Sequence, residues 1–207
     1  PGVTKKFASQ LISKNSSYKI GKNIFFGYSP ERENPGDKNF SYQTTPKVVS
    51  GYSDICLNLM QNIYKIISKK VFSTNTLEEA ETSKLLENLY RSINIGLVNE
   101  MKLICNKLKI DVHKVIDTAA TKNFGFQKFI PGPGLGGHCI PIDPYYLSWI
   151  SKKKGYVPKM LESAASINNN MPKLIINKIL KYFKKKPKIL IFGISYKKNI
   201  DDDRESP

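Results

Sequence analysis

Apolar and polar positions in residues 1–75 alternate between two kinds of spacing. Short apolar runs typical of buried strands are separated by stretches with helical spacing. The spacing predicts helices over residues 4–11 and 53–68, and strands over residues 23–27, 47–50 and 70–73. Strands separated by helices are typical of a parallel α/β sheet, but the strand–turn–helix unit that opens such a sheet is missing. This part is therefore predicted to be the second half of a doubly wound α/β domain.

The apolar spacing becomes helical from residue 76 onward. The T-L-E-E sequence at residues 76–79 is a capping box, and the apolar stripe that follows reaches Leu108 without a proline. The helix predicted over residues 77–108 would be roughly 48 Å long at 1.5 Å per residue. Since a core built from this chain alone does not cover that length, we expect the helix either to kink or to pair its stripe with another chain, as in a homodimer.

A second helical series and a final strand follow the long helix. Asp111 is the predicted N-cap of a helix that ends near residue 121, and a loop rich in glycine and proline comes next. Helices are predicted over residues 144–153 and 158–183, and a buried strand in the run K-P-K-I-L-I-F-G-I-S-Y. The predicted organisation is thus α/β, with a central all-helical domain at residues 76–183 and the start of a second α/β domain at residues 184–207.

The composition allows a buried core and argues against two classes of protein. Of the 207 residues, 40% are hydrophobic, and the mean hydropathy is −0.35. No run of 18 apolar residues is present, so no transmembrane helix is predicted. The net charge of +16 suggests a nucleic-acid partner, but only three of the 33 basic residues are arginines. Because nucleic-acid interfaces rely on arginine for bidentate and stacking contacts, we interpret the dispersed lysines as compositional bias.

The three cysteines indicate a reducing, cytoplasmic location, since an odd number does not fit a disulfide framework. Cys56 and Cys105 lie in helical apolar contexts and are predicted to be core residues, whereas Cys139 follows the glycine-rich loop. The cysteines and histidines show no zinc-ligand spacing, so no metal site is predicted.

The densest candidate site is the stretch F-I-P-G-P-G-L-G-G-H-C-I-P-I-D at residues 129–143. Its glycines fit G-x-G-x-x-G, but a dinucleotide fingerprint must open a helix, and Pro141 stands where that helix would need backbone donors. Glycines beside Cys139 would instead let a ligand approach the backbone closely. From spacing alone, Cys139 is either a nucleophile or an incidental loop thiol.

Further polar residues have both a structural and a chemical interpretation. Asp143, followed by a proline, has the pattern of a helix N-cap, and it is also close enough to Cys139 to be a catalytic carboxylate. Lys84, Asn88 and Arg91 share one face of the long helix, which is either solvated or binds an anion. The other two arginines lie in the polar motifs S-P-E-R and D-R-E-S-P, where a guanidinium fork suits a phosphate or a carboxylate.

Four of these motifs, in order along the chain, resemble the UDP-glucose/GDP-mannose dehydrogenase family. They are Y-S-P-E-R-E-N-P-G-D-K, A-E-T-S-K-L-L-E-N-L-Y-R-S-I-N-I-G-L-V-N-E, P-G-P-G-L-G-G-H-C-I-P-I-D-P-Y-Y-L and Y-K-K-N-I-D-D-D-R-E-S-P. P-E-R-x-x-P-G together with H-C-I-P-x-D-P is most similar to the branch that oxidises UDP-N-acetylhexosamines. The resemblance implies half of a Rossmann-like NAD-binding domain, a central helical domain and the start of a UDP-binding Rossmann-like domain.

The resemblance also implies an NAD-dependent, four-electron oxidation of a sugar C6 hydroxyl to a carboxylate. Cys139 would capture the aldehyde as a thiohemiacetal, which is then oxidised to a thioester. Lys84 would stabilise oxyanions, Asn88 would hold a water, and Asp143 would assist thioester hydrolysis. Glu31 matches the family's acidic residue near the reacting sugar.

Binding residues are implied in the same way. The substrate would contact Arg32, Arg91, Phe129, Pro131, Gly132, Gly134, Gly136, Gly137, Tyr196 and Lys197, and NAD would contact Glu31, Gly137 and Arg204. Because the family's N-terminal glycine fingerprint and most of its C-terminal domain are missing, the isolated chain is expected to be inactive. Oxidation of UDP-glucose or GDP-mannose is the alternative activity, and a basic module that binds anions or nucleic acid is the non-enzymatic alternative.

Overall fold

The computed structural model describes residues 1–32, 40–137 and 140–207. A π-helical segment, Val3–Ala8, leads into α1, Ser9–Asn15. The remaining elements are β1 (Gly27–Tyr28), β2 (Lys47–Gly51), α2 (Asp54–Ile67), β3 (Val71–Ser73), α3 (Leu77–Leu108), α4 (Val112–Ala119), α5 (Asp143–Lys153) and α6 (Lys159–Leu180). The chain forms two compact units, Pro1–Leu86 and Glu87–Pro207, whose boundary falls within α3. The three-part division at residues 75 and 183 stays a prediction.

The first unit is built on a three-stranded sheet of order β1-β2-β3. β2 is the central strand, and Val48 and Val49 on it are buried. β2 and β3 are parallel, as predicted for two strands separated by a helix, and α2 packs on β2. The strand predicted over residues 23–27 is wrong. Of that range only Gly27 lies in a strand, β1, and β1 pairs antiparallel to β2. A turn takes up the preceding backbone groups instead: the Gly21 N–H donates to the Ile24 carbonyl at 2.8 Å.

Glu81 on α3 anchors the N-terminal end of the π-helical segment. Its carboxylate accepts hydrogen bonds from the Gly2 N–H, from the Thr4 N–H at 2.9 Å and from the Thr4 hydroxyl at 2.6 Å. Burial disfavours the charged form of Glu81, but the hydrogen bonds from Thr4 and Gly2 together outweigh it and hold the pKa of this carboxyl below its usual value. The negative charge of Glu81 also interacts favourably with the N-terminus of the Val3–Ala8 segment.

We expect Glu81→Gln to destabilise the whole protein near neutral pH, by about 1.5–3 kcal/mol, the range for hydrogen bonds to a charged acceptor. A carboxyl whose pKa is lowered by folding stabilises the native state above its unfolded pKa, and that stabilisation disappears as the pH falls through the folded pKa. The gap in Tm between wild type and variant should therefore shrink below about pH 4. Thermal unfolding at pH 7 and at pH 3.5 measures both gaps, and equal gaps would contradict this assignment. The matched control is Glu78→Gln, whose carboxylate makes a long contact of 3.9 Å to the exposed Lys5 and should change Tm little.

The second unit has its apolar core where α3, α4 and the glycine-rich loop meet. Val98, Cys105, Val112 and Ile116 form this core, with Met101 and Phe129 packed against it. The carboxylate of Asp111 accepts a hydrogen bond from the His113 N–H at 2.9 Å, which confirms the predicted cap of α4. Cys105 is buried here and Cys56 is buried in the first unit, as predicted for core cysteines.

The long helix α3 forms as predicted, but a different face is buried. The capping box is confirmed: the Glu79 N–H donates to the Thr76 hydroxyl and the Thr76 N–H donates to the Glu79 carboxylate, both at 3.1 Å. Of the predicted stripe, Leu89 is buried, whereas Leu108 is 62% exposed. Polar and small residues of α3 are buried in its place because α6 packs against them. A Cβ added to Gly96 would lie 3.1 Å from the Ala164 Cβ.

The strand predicted after α6 does not form within the described residues. Phe192 in this run is 89% exposed, and the backbone from residue 187 to residue 196 pairs with no strand that the structure describes. A strand is stable only when a neighbouring strand completes its hydrogen bonds, and an apolar run alone cannot supply that partner. No helix in the described part of the chain has the length and apolar character needed to cross a membrane.

Candidate active site around the glycine-rich loop

Asp143 and Asn88 form a hydrogen-bonded pair between α5 and α3. The Asn88 Nδ2 donates to Asp143 Oδ2 at 2.5 Å, and Asn88 is buried. The prediction that Asp143 is the N-cap of α5 is wrong. Ile142 occupies that position in a helical conformation and makes no side-chain cap, while the predicted proline does lie in the first turn. The Asp143 carboxylate is therefore turned towards α3 and does not cap its own helix.

This pair has the features needed to activate a water molecule. A neutral amide donor orients a carboxylate through one oxygen without cancelling its charge, so the carboxylate remains able to accept a proton. The face of α3 that carries Lys84, Asn88 and Arg91 is not uniformly exposed to solvent. Arg91 is exposed, Lys84 is half-buried, and Asn88 is buried because Asp143 lies against it.

The glycine-rich loop is fixed at its start by packing and by one hydrogen bond. Phe129 packs on the apolar core, and its ring meets the Tyr90 ring edge-on at 6.0 Å between centroids. Pro131 is buried, and the Gly132 N–H donates to Asn99 Oδ1 at 2.9 Å. Among the described residues, no heavy atom beyond its chain neighbours lies within 4 Å of the point where a Cβ of Gly132 would stand, so the described part of the chain leaves space beside the loop here.

The later glycines of the loop make room for other parts of the chain. A Cβ on Gly136 would lie 2.3 Å from the Tyr196 Cβ, and a Cβ on Gly137 would lie 2.9 Å from its Cζ. Gly137 also has φ +91°, a conformation that side chains rarely adopt, and its N–H donates to the Arg204 carbonyl at 3.0 Å. Tyr196 and Arg204 thus contact the loop, and a tyrosine ring occupies the space that the sequence analysis assigned to a ligand. Their implied contacts with the substrate and with NAD stay predictions.

Arg204 presents its guanidinium as a fork to a carboxylate of this chain. Its Nε donates to Asp202 Oδ1 and its Nη2 donates to Asp202 Oδ2, both at 2.8 Å. This is the bidentate geometry expected of a rare arginine in a polar motif. An anionic ligand at Arg204 would have to compete with Asp202 or share the guanidinium with it. Gly134, also on the loop, faces the Asn168 carbonyl, which would lie 3.1 Å from an added Cβ.

In the first unit, Glu31 is held by a buried lysine that the sequence analysis did not identify. The Lys47 ammonium, with a side chain only 2% exposed, donates to Glu31 Oε1 at 3.0 Å and lies 4.4 Å from the centre of the Tyr42 ring. The Glu31 side chain stays 57% exposed, so its carboxylate remains accessible. The signal that could have identified Lys47 is its position in the short apolar run of β2. Nearby, the Arg32 Nη1 donates to the Pro46 carbonyl at 3.3 Å.

The proposed nucleophile, Cys139, lies with His138 outside the described residues, so its role stays a prediction. The segment of residues 33–39, which includes the end of the P-E-R-x-x-P-G motif, also lies outside them. Lys197 is in the same C-terminal segment as Tyr196 and Arg204. Among the described residues, no group of three or more histidine, cysteine, aspartate or glutamate side chains is arranged to hold a metal ion.

The chain is similar to known nucleotide-sugar dehydrogenases. Residues 78–170 match the central domain of the UDP-glucose/GDP-mannose dehydrogenase family. The whole chain aligns with a UDP-N-acetyl-D-glucosamine 6-dehydrogenase of Pseudomonas aeruginosa at 33% identity and with a UDP-N-acetyl-D-mannosamine dehydrogenase of Methanocaldococcus jannaschii at 37%. Residues 78–170 therefore belong to the central domain of the UDP-glucose/GDP-mannose dehydrogenase family.

The fold agrees with this membership. The structure of a UDP-D-ManNAc dehydrogenase from Pyrococcus horikoshii superposes on the whole chain with a TM-score of 0.87 at 31% identity. This similarity confirms the predicted α/β, Rossmann-like class. The chain spans about half of its relatives: 50% of the Pseudomonas protein, 46% of the Methanocaldococcus protein and 50% of the Pyrococcus chain.

Proposed function

We propose that the whole protein oxidises the C6 hydroxyl of a UDP-N-acetylhexosamine to the uronate, as a step in surface polysaccharide synthesis. The hydrogen bond between Asn88 and Asp143 carries this proposal, because it joins two separately implied catalytic residues into one water-activating pair. The similarity to dehydrogenases of UDP-N-acetylglucosamine and UDP-N-acetylmannosamine supports the substrate class.

NAD would supply the acceptor for the two hydrides that leave the sugar. The residues assigned to it suit polar groups of a dinucleotide. Glu31 is exposed and held in place by Lys47, so it can accept a hydrogen bond from a ribose hydroxyl, and the Arg204 guanidinium is a partner for phosphate.

The chain's own residues would divide the work as follows. The first oxidation produces an aldehyde, and the Cys139 thiolate adds to its carbonyl carbon to give a thiohemiacetal. Loss of a second hydride gives a thioester. Lys84 stabilises the oxyanion formed at each addition, and Asp143, oriented by Asn88, accepts a proton from the water that hydrolyses the thioester. The products are the uronate and the free thiol.

We expect two NADH per molecule of uronate when the whole protein consumes a limiting amount of UDP-N-acetylhexosamine. The reason is the electron balance, since the change from alcohol to carboxylate releases two hydrides. Absorbance at the NADH band, with the uronate quantified in the same sample, measures the ratio. One NADH per sugar, with free aldehyde as product, would contradict the proposal.

The alternative substrates, UDP-glucose and GDP-mannose, are distinguished by comparing kcat/KM for each with that for the N-acetylated sugars. The non-enzymatic alternative, a basic anion-binding module, would show salt-sensitive binding to nucleic acid and no turnover of any sugar nucleotide. A homodimer through α3 also remains a proposal. The exposed Leu97, Ile104 and Leu108 on that helix support it.

A further inference from the structure

Three hydrogen bonds connect the interior of the second unit to the glycine-rich loop. The Asn168 Nδ2 donates to the Ser92 carbonyl at 3.0 Å, the Asn99 Nδ2 donates to Asn168 Oδ1 at 2.9 Å, and the Gly132 N–H donates to Asn99 Oδ1 at 2.9 Å. We call this series the asparagine relay. Asn99 is 0% exposed and Asn168 is 1% exposed, so both amides are removed from solvent.

The asparagine relay has a single direction. A backbone carbonyl, which only accepts, faces the Nδ2 of Asn168, so the Oδ1 of Asn168 must face Asn99. Asn99 then has to present its Nδ2 to Asn168, which leaves its own Oδ1 as the acceptor for Gly132. Rotating either amide by half a turn would bring like atoms together at two contacts. The Ser92 carbonyl on α3 therefore determines the orientation of both amides, and with it the acceptor that the loop receives.

Packing alone does not explain two buried amides at this place. α6 approaches α3 closely because Gly96 and Ala164 are small, and residues of similar size but apolar would fill the same space. Burying an amide is unfavourable unless its hydrogen bonds are complete, so apolar residues would serve a merely structural contact at least as well. What the amides add is a specific acceptor for one loop N–H.

That N–H belongs to the part of the loop with open space beside it. No heavy atom of the other described residues lies within 4 Å of the would-be Cβ of Gly132, whereas Gly136 and Gly137 face Tyr196. The Asn168 backbone carbonyl also approaches Gly134, so the same asparagine contacts the loop through its main chain and, through Asn99, by its side chain. The relay therefore controls the loop where a ligand has room to contact the backbone.

We propose that Asn99 and Asn168 are positioning residues that hold the glycine-rich loop in the conformation that receives the sugar nucleotide. This proposal rests on the proposed function, because it assumes that the loop binds the UDP-N-acetylhexosamine. Loss of the relay releases the loop at Gly132 without removing any residue that contacts the reacting carbon. We therefore expect KM for the sugar nucleotide to rise about tenfold or more while KM for NAD stays within about twofold.

The test compares single and double leucine variants of the whole protein. Asn168→Leu leaves the Asn99 amide and the Ser92 carbonyl without their partner, so we expect both a lower Tm and a higher KM. The double variant Asn99→Leu/Asn168→Leu replaces both amides by apolar groups and should recover much of the Tm. The Gly132 N–H still lacks its acceptor there, so KM for the sugar nucleotide should remain raised. Asn170→Leu, an exposed neighbour on α6, is the control and should leave both values unchanged.

If Asn99 and Asn168 only stabilise the fold, KM for the sugar nucleotide should return towards the wild-type value in the variant whose Tm recovers. Recovery of a wild-type KM in the double variant, or a wild-type KM in every variant, would overturn the proposal. Hydrogen exchange of the peptide that covers residues 130–137 is an independent readout and should be faster in both leucine variants without ligand. If the double variant does not fold, Asn168→Ser makes a smaller change, and its exchange rate and KM decide the same question. Wild-type turnover in the same assay tests the proposed function separately, so failure of the relay alone is distinguishable from failure of both.

Discussion

Replacing Cys139 with serine in the whole protein is expected to stop uronate formation, with kcat lower by about 10³-fold or more. A thiolate adds to an aldehyde at neutral pH and later leaves readily from a thioester, whereas a serine hydroxyl is a weak nucleophile unless a base activates it. The loss should affect the second oxidation and the hydrolysis, because the first hydride transfer needs no covalent bond to this side chain.

Two measurements distinguish the loss of the nucleophile from a general loss of folding. NADH formation under single-turnover conditions should fall from two to about one per active site in Cys139→Ser, and intact-mass analysis should show no thioester. The matched control is Cys105→Ala, which removes a buried core thiol and should lower Tm while turnover continues. Uronate formation by Cys139→Ser at the wild-type rate would show that Cys139 is not the nucleophile.

Local signals predicted the helices of this chain well because each signal acts over a few residues. The capping box at Thr76 and Glu79 and the cap at Asp111 both form hydrogen bonds within one turn, so the sequence around them is sufficient to predict them. Strands differ, since their partners are distant in sequence. β1 pairs antiparallel to β2 across a long segment, and the apolar run that contains Phe192 finds no partner strand among the described residues.

The site shows the same division between local and distant contacts. Asn88 and Asp143 were each recognised as candidates, but the hydrogen bond between them depends on how α5 packs against α3, which no local pattern encodes. The asparagine relay escaped the sequence analysis for another reason. The stripe that predicts α3 consists of leucine, isoleucine and methionine, whereas the face of α3 that is buried against α6 carries Ser92, Gly96 and Asn99. A buried interface made of small and amide residues has no apolar stripe.

The pair of Asn88 and Asp143 leads to the second large expected effect, that of Asp143→Asn. The amide has nearly the same shape as the carboxylate and can still accept the hydrogen bond from Asn88, so the local packing is kept. It cannot accept a proton from water at neutral pH, so thioester hydrolysis loses its general base. We expect kcat to fall about 10²- to 10⁴-fold, the range typical of a lost acid–base group, with little change in Tm.

The time course of NADH formation identifies the slowed step, which the loss of steady-state rate alone does not. If only hydrolysis is slowed, both oxidations still occur, and Asp143→Asn should release a rapid burst of two NADH per active site, followed by slow turnover and an acyl-enzyme that intact-mass analysis detects. The control is Asp117→Asn, which changes an exposed carboxylate paired with Lys128 at 2.6 Å and should leave the steady-state rate unchanged. A burst of fewer than two NADH would place the defect before the thioester, and wild-type turnover would remove Asp143 from the mechanism. Since Cys139→Ser should stop near one NADH and Asp143→Asn near two, the two variants together order the roles of thiol and carboxylate along the reaction.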